Sequence, residues 1–425
     1  MTWDVTSMMD RYVDSVDRLR SGGTERRYRR VPPAVTPLRA TDIAAGIAGQ
    51  VSGTGLEAFR NDVGTFLDAT AVGTYTSFRR ALGACLFELA EKMDEDRTEV
   101  FVPAFCSSDY PDAIEGAGLE TVRYDVDPNT LALDTDSLET LPMENAAAVV
   151  VVNVLGYGSP MDRIETYCRE NDTYLIEALG YALGAEYDGR PLGTFGDCSV
   201  LNFQQGKPIP VGGGMVVSRN GELNFDDERR SPVTPNIGVL SGYAAFGHPR
   251  LYYVYSEATE WIERYSATES RISTHPESKF GVPYEPPFKT LSDFQGAVAG
   301  RVFDRLETDR RQRESTAHMY ATELADCRGV RHLRPVEGLS KHQHVRYPLL
   351  VEDIERRKEL KSALSKAGIG TAMMYDWPPL DDGKFPGAAR VQNEILTLPT
   401  HPYVDEDDRQ RIVRIVRDVL SGSGR

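Results

Sequence analysis

The stretch that decides the fold is Asn202–Ser218, NFQQGKPIPVGGGMVVS. A lone lysine, Lys207, stands there in a short turn between two apolar runs. The run before it, Cys198 to Phe203, has the character of a strand, and so has Met215 to Val217 after it. Pro208 and Pro210 bracket Ile209 and prevent a helix from passing through. Two readings of Lys207 stand: a Schiff-base lysine held on rigid non-helical backbone, or an ordinary solvated loop lysine. Gly212, Gly213 and Gly214 lack the spacing of a dinucleotide-binding loop. Their lack of a β-carbon instead allows another backbone to approach closely beside the lysine.

Upstream of this stretch, short apolar runs alternate with helical patterns. Strands are expected at Glu99 to Pro103, Thr121 to Asp125, Ala146 to Val154 and Tyr174 to Glu177. Helices are expected at Ser108 to Gly116 and Asp162 to Glu170, and earlier over Glu57 to Ala69. Apolar strands separated by helices imply a largely parallel sheet buried on both faces. Ligands gather at the strand ends of such sheets. Thr74, Tyr75, Thr76 and Ser77 precede the amphipathic stretch FRRALGACLFELAEKM. Hydroxyls at a helix start are N-caps, and the same place can hold a phosphate.

Downstream the rhythm changes. Gly238 to Ala267 reads as a loop entering a helix, and residues 275–290, rich in prolines and aromatics, as an extended loop. One long helix is expected from Asp293 to Leu324. Then come a strand (His344 to Val351), a helix (Asp353 to Ala367), a short strand (Gly368 to Met373) and a last helix (Glu406 to Leu420). These boundaries suggest a charged arm over 1–31, a large domain over 32–250, and a loop, long helix and small domain over 251–425. In the arm, Asp10 to Arg20 is helical in pattern, and the four arginines within Arg26–Arg30 read as a solvated segment or, more sharply, as a contact to a phosphate or a second subunit.

The 425 residues carry a formal net charge of −16. Acidity spread along the chain argues against nucleic acid and against an anionic membrane surface. No apolar run reaches the length of a membrane span, and the first residues lack a signal-peptide core. Five scattered cysteines form no CxxC pair, so neither a disulfide framework nor a zinc site is indicated. A cytoplasmic protein is expected. His342 and His344 share a strand face by spacing but have no third ligand nearby, which favours a surface or subunit-contact role. Asp125 and Asp127 read as turn chemistry, and Asp381 with Asp382 as solvated.

The order of parts resembles the DegT/DnrJ/EryC1/StrS sugar aminotransferases, which are fold-type I pyridoxal-phosphate (PLP) proteins. The resemblance spans about residues 30–420. VVNVLGYGSPMDRI, LIEALGYALGAEYDGRPLGTFGDCSVLNFQQGKPIPVGGGMVVS, YPLLVEDIERRKELKSALSKAGIGTAMMYDWPPL and LPTHPYVDEDD carry it. It implies an α/β fold with a large, mostly parallel sheet domain and a small C-terminal α/β domain. It makes Lys207 the residue that bonds C4′ of PLP and then moves a proton as acid and base. It places Thr74, Tyr75 and Thr76 at the phosphate, and Asn202 where a phosphate-binding serine is usual. It implies a homodimer, an amino-acid donor and a keto sugar nucleotide, in polysaccharide biosynthesis.

Departures from the family pattern are concentrated around the cofactor. The aspartate that keeps the pyridine nitrogen protonated falls on Ala178. The amide or imidazole three residues later falls on Tyr181, which either touches the cofactor's phenolic oxygen or fills space. The ring-stacking aromatic falls on Ser107, and a histidine near the preceding strand end on Asn153. The asparagine-aromatic-arginine turn is not evident near Phe288-Lys289-Thr290. Loss of the carboxylate weakens the electron sink by on the order of 3 kcal/mol. Strand alternation turns Glu177 away from the face of Ala178, and only a bulge would bring it back. Three functions follow from these features: a PLP-dependent sugar aminotransferase, a homologue that has lost transamination and serves as a binding or scaffold subunit, or altered PLP chemistry.

Overall fold

The computed structural model describes residues 28–94, 96–223, 225, 231–265, 289–375 and 379–421. The expected helix at Asp10 to Arg20 and nearly all of the 275–290 loop lie outside these residues.

Nine strands belong to the first half: β1 (Ala71–Tyr75), β2 (Glu99–Pro103), β3 (Glu120–Tyr124), β4 (Ala146–Val152), β5 (Tyr174–Ala178), β6 (Glu186–Tyr187), β7 (Arg190–Pro191), β8 (Cys198–Asn202) and β9 (Gly214–Ser218). Seven of them form one sheet in the order β1-β9-β8-β5-β4-β2-β3. From β8 to β3 all neighbours are parallel. β9 runs antiparallel to both β8 and β1, because only a short excursion separates β8 from β9 and no crossover helix can form. β4, AAAVVVV, is buried at every position, as a strand covered on both faces must be. Val150, Val152, Ile176, Ala178 and Val200 face one apolar cluster; Val149, Val151, Leu175 and Leu201 face the other.

The C-terminal part carries a small antiparallel sheet of β10 (Val330–Arg331), β12 (Arg346–Val351) and β13 (Ile395–Pro399), while β11 (Leu339–Lys341) joins β6 and β7. Together these layers make the expected α/β architecture, a large and mostly parallel sheet followed by smaller C-terminal α/β structure.

Several boundaries differ from the sequence reading. Thr74 and Tyr75 belong to β1, and the helix begins at Phe78 with Ser77 as its cap. The expected single helix from Asp293 is two, Asp293–Phe303 and Leu306–Glu323. Arg305 leaves helical geometry between them (φ −110°, ψ 10°), its guanidinium held by Asp42 at 2.7 Å and by the Pro37 carbonyl at 2.7 Å. Gly238 to Ala267 contains two helices, Ile237–Phe246 and Pro249–Tyr265. The proposed strand at Gly368 to Met373 is only two isolated bridges, Ile369 to Val31 and Ala372 to Thr397. The helices Ala40–Ser52, Thr135–Glu139 and Pro386–Glu394, and the strand β13, are additions to the reading.

Arg29 is not solvated: its guanidinium lies 2.6 Å from the fully buried carboxylate of Asp408 in the last helix. His342 and His344 do not lie on a strand. His344 has a positive φ of 44°, the two rings stack at 3.9 Å, and His342 is buried. No metal-binding group of three or more ligands occurs among the described residues. Asp125 does more than shape its own turn. Its carboxylate accepts from the Gly387 and Ala388 amides, both at 2.8 Å, at the start of the helix Pro386–Glu394.

Candidate active site

Lys207 sits on an excursion from the β8–β9 hairpin. The Phe203 amide donates to Gly213 O (3.0 Å) and the Gly212 amide to Phe203 O (2.6 Å), which closes the excursion at its base. Thr36 Oγ1 donates to the Lys207 carbonyl at 2.7 Å. Gln295 Nε2 and Asn236 Nδ2 donate to the Val211 carbonyl. Asn202 Oδ1 accepts from the Gln204 amide at 2.9 Å. The loop that carries the lysine is therefore fixed from three separate elements, as a reactive group on non-helical backbone requires.

The Lys207 amine lies 3.1 Å from the centroid of the Tyr181 ring. Lys207 and Tyr375 both act on the ionisation of the Tyr181 phenol. Burial pushes the Lys207 amine below the ordinary lysine range, against the opposing pull of Tyr181. Burial pushes the Tyr181 phenol up, but the charges of Lys207 and Arg346 outweigh it and hold the phenol below its usual range. The charge of Lys207 thus eases the loss of the Tyr181 proton, whereas Tyr181 holds the proton on Lys207 against the effect of burial. Tyr375 is raised by burial and packs edge-on against Phe105 at 5.0 Å.

Beside this pair lies the mouth of the helix Phe78–Ala90. Ser77 Oγ accepts from the Arg80 amide, so this hydroxyl is a cap. Thr74 Oγ1 bonds Thr290 Oγ1 at 2.6 Å, and Tyr75 is buried in the apolar cluster. Thr76 Oγ1 is buried and has no hydrogen-bond partner. Gly213 and Gly214 make this approach possible. A β-carbon on Gly213 would lie 2.6 Å from the Tyr75 carbonyl, and one on Gly214 would lie 2.9 Å from Phe78 Cα. Gly213 also has φ +91°, which disfavours any side chain. Close approach was legible from the three glycines; what approaches is the β1-to-helix turn of the same chain.

Ser107 follows β2 and its hydroxyl donates to Asp109 Oδ2 at 3.4 Å. Asp109 is ion-paired with Arg79 at 3.0 Å, and Arg79 also meets Asp112 at 2.9 Å.

Glu177 and Ala178 end β5 in opposite surroundings. Glu177 is wholly buried on the far face and accepts from the amides of Gly193, Phe195 and Gly196 at 2.7, 2.7 and 2.8 Å. Strand alternation holds without a bulge, so Glu177 anchors the 193–196 turn and does not replace an acid at Ala178. Ala178 pairs in register with Val152, next to Asn153. The Asn153 side chain is 1% exposed, and both its amide oxygen and its nitrogen lack partners. A buried amide with two unmet hydrogen-bonding atoms is costly in an empty fold and is readily satisfied by a polar ligand. Gly180 completes the wall: a β-carbon there would lie 3.2 Å from Asn202 Cβ and 3.7 Å from the Lys207 amine.

Of the residues singled out from sequence, Lys207, Tyr181 and Asn202 are brought to one wall. Tyr375 and Arg346 join this site and were not anticipated; they come from the C-terminal part, some 170 and 140 residues beyond Lys207. Nothing in their local sequence marks them.

Comparison with known proteins agrees with this architecture. The model of the DegT/DnrJ/EryC1/StrS aminotransferase family matches residues 39–229 and 278–417. GDP-perosamine synthase of Caulobacter vibrioides is 32% identical over 335 residues, 76% of this chain and 79% of that protein. The dTDP-3-amino-3,4,6-trideoxy-alpha-D-glucose transaminase of Micromonospora megalomicea is 24% identical, over 73% of this chain and 75% of its own. Among solved structures, the aminotransferase TlmJ from Streptoalloteichus hindustanus superposes with a TM-score of 0.71 at 23% identity, covering 93% of this chain and all of its own. At that identity the superposition speaks for the fold alone.

Proposed function

The chain belongs to the DegT/DnrJ/EryC1/StrS aminotransferase family, and on that premise we propose that it is a PLP-dependent aminotransferase moving an amino group from an amino-acid donor to a keto sugar nucleotide. The observation that carries this is the buried amine of Lys207, held over Tyr181 on a loop anchored from three sides. Relatives named as transaminase and GDP-perosamine synthase favour an enzyme over a scaffold subunit.

The residues present fit the cofactor at two of its ends. Lys207 supplies the amine for its aldehyde. Thr76, with its unpartnered hydroxyl at the helix mouth, and Asn202 would hold its phosphate. Tyr181 and Ser107 would border its ring. At the ring nitrogen Ala178 offers no acid, and Glu177 is committed elsewhere. When bound, PLP supplies an electron-withdrawing ring that accepts the electron pair left as a proton departs the substrate carbon.

The chain's own residues account for the proton. Burial lowers the Lys207 pKa and so favours the neutral amine, which can take a proton from carbon. Tyr181, its phenol held below the usual range by the charges of Lys207 and Arg346, lies against the resulting ammonium. Burial of Lys207 and Tyr181 keeps water from competing for that proton.

We extend the reading to a homodimer. Val239, Phe246, Leu251, Val254 and Tyr255 are exposed by 58, 42, 44, 55 and 44% on the helices Ile237–Phe246 and Pro249–Tyr265. An apolar surface of that kind is normally covered. Among the described residues no helix is long and apolar enough to cross a membrane.

Half-reaction spectroscopy tests the function. Glutamate added to the PLP-loaded protein should bleach its visible band, and a keto sugar nucleotide should restore it. A band unchanged by glutamate, glutamine and aspartate over hours would overturn the proposal.

A further inference from the structure

Arg346 opens β12, paired in register with Pro399, and is brought to the site from the C-terminal sheet. Its Nη2 lies 3.8 Å from the place a β-carbon would occupy on Gly206, the residue before Lys207. Arg29, Arg79, Arg305 and Arg331 are paired with the carboxylates of Asp408, Asp109, Asp42 and Glu394, and the buried Arg313 and Arg357 donate to the Gln343 and Gln392 carbonyls. Arg346 has neither an ion pair nor a hydrogen bond among the described residues, and its Nε is buried without a partner. Asp109, whose charge acts on Lys207, is already paired with Arg79. The wall thus presents the Arg346 cation beside the Lys207 amine, in a chain whose formal charge is −16.

A guanidinium nitrogen buried without a partner is unfavourable. Its planar fork of donors matches a carboxylate in two parallel hydrogen bonds. We propose that Arg346 is the receptor for the α-carboxylate of the amino-acid donor.

This rests on the proposed transamination and adds its substrate recognition. The nitrogen to be transferred is bonded to the carbon that bears the carboxylate. A receptor for that carboxylate must therefore lie within about one side chain of the lysine, where Arg346 lies. The phosphate of the cofactor has a separate candidate place, the mouth of the helix Phe78–Ala90 on the seven-stranded sheet. Arg346 reaches the lysine from the other sheet. Its placement is built in: Thr400 Oγ1 donates to the His344 carbonyl at 2.5 Å, and His344 takes φ +44°, turning the chain into β12 just before Arg346.

The test is calorimetric titration of glutarate, a dicarboxylate with no amine to react, into the PLP-loaded protein. Arg346→Gln should weaken glutarate binding about 30-fold or more, and Arg346→Lys by less, since a point charge keeps attraction but loses the fork. PLP should still be taken up on Lys207 with unchanged affinity in both variants. The KM for glutamate should rise with glutarate's Kd while kcat changes little. Glutarate binding unaffected by Arg346→Gln would overturn the assignment. So would a loss of PLP affinity in that variant, which would make Arg346 a phosphate ligand. Failure of the underlying reading is distinct: the unaltered protein would then take up no PLP on Lys207.

Discussion

The amine of Lys207 lies over the Tyr181 ring, 3.1 Å from its centroid, and its charge lowers the pKa of the Tyr181 phenol. The pair defines the chemistry of the site more than either residue does. A tyrosine here both neutralises the ammonium and fills the wall beneath it.

Replacing Tyr181 with Phe separates those roles. The phenol raises the Lys207 pKa against the lowering by burial, so its removal should lower that pKa further. Neutral amine then persists to lower pH. The rate of PLP capture plotted against pH should move its acid limb to lower pH in Tyr181→Phe, by about one unit. A limb that stays in place would show that Tyr181 only fills space.

Glu177 tests the far side of the same strand. Its carboxylate satisfies three buried amides. Glu177→Ala leaves them unpaired and should cost about 3–5 kcal/mol in urea unfolding. A loss below about 1 kcal/mol would mean that the 193–196 turn does not depend on it.

Ala178→Asp restores an acid next to the Val152–Asn153 strand end. If lack of this acid limits the reaction, turnover with glutamate should rise about tenfold or more. A decrease would show that the wall has been rebuilt around Tyr181 and Asn153.

His401 links the N-terminal segment to the C-terminal sheet through a 2.9 Å hydrogen bond between Nε2 and the Pro32 carbonyl. Burial lowers its pKa from 6.5 to about 4. The folded state therefore prefers the neutral ring. Stability from this residue is complete above the unfolded value and is lost as pH falls from about 6.5 towards 4. The loss should be on the order of 3 kcal/mol. Urea unfolding at pH 7 and pH 4.5 should show a smaller difference in His401→Gln than in the unaltered protein.

What could be read from sequence followed from periodicity and from special residues. The buried strand β4 announced itself through an unbroken apolar run, and β2, β5 and β8 through short, mostly apolar ones. Lys207 stood out because two prolines and three glycines excluded a helix around it. The outward turn of Glu177 followed from strand alternation alone. The break at Asp304–Arg305 was invisible because its cause is remote: Asp42 and Pro37 hold the Arg305 side chain. Tyr375 and Arg346 were missed for the same reason, since their place at the site depends on how the C-terminal sheet packs against the Lys207 loop. His342 and His344 misled because spacing of two fits a strand, whereas a positive φ at His344 stacks their rings in the interior.

The most direct test is borohydride reduction of the protein incubated with PLP, followed by peptide mass spectrometry. The account predicts a yellow protein, one reduced pyridoxyl-phosphate group per chain on the peptide containing Lys207, and none in Lys207→Ala. A protein that stays colourless, or a label on any other lysine, would contradict it.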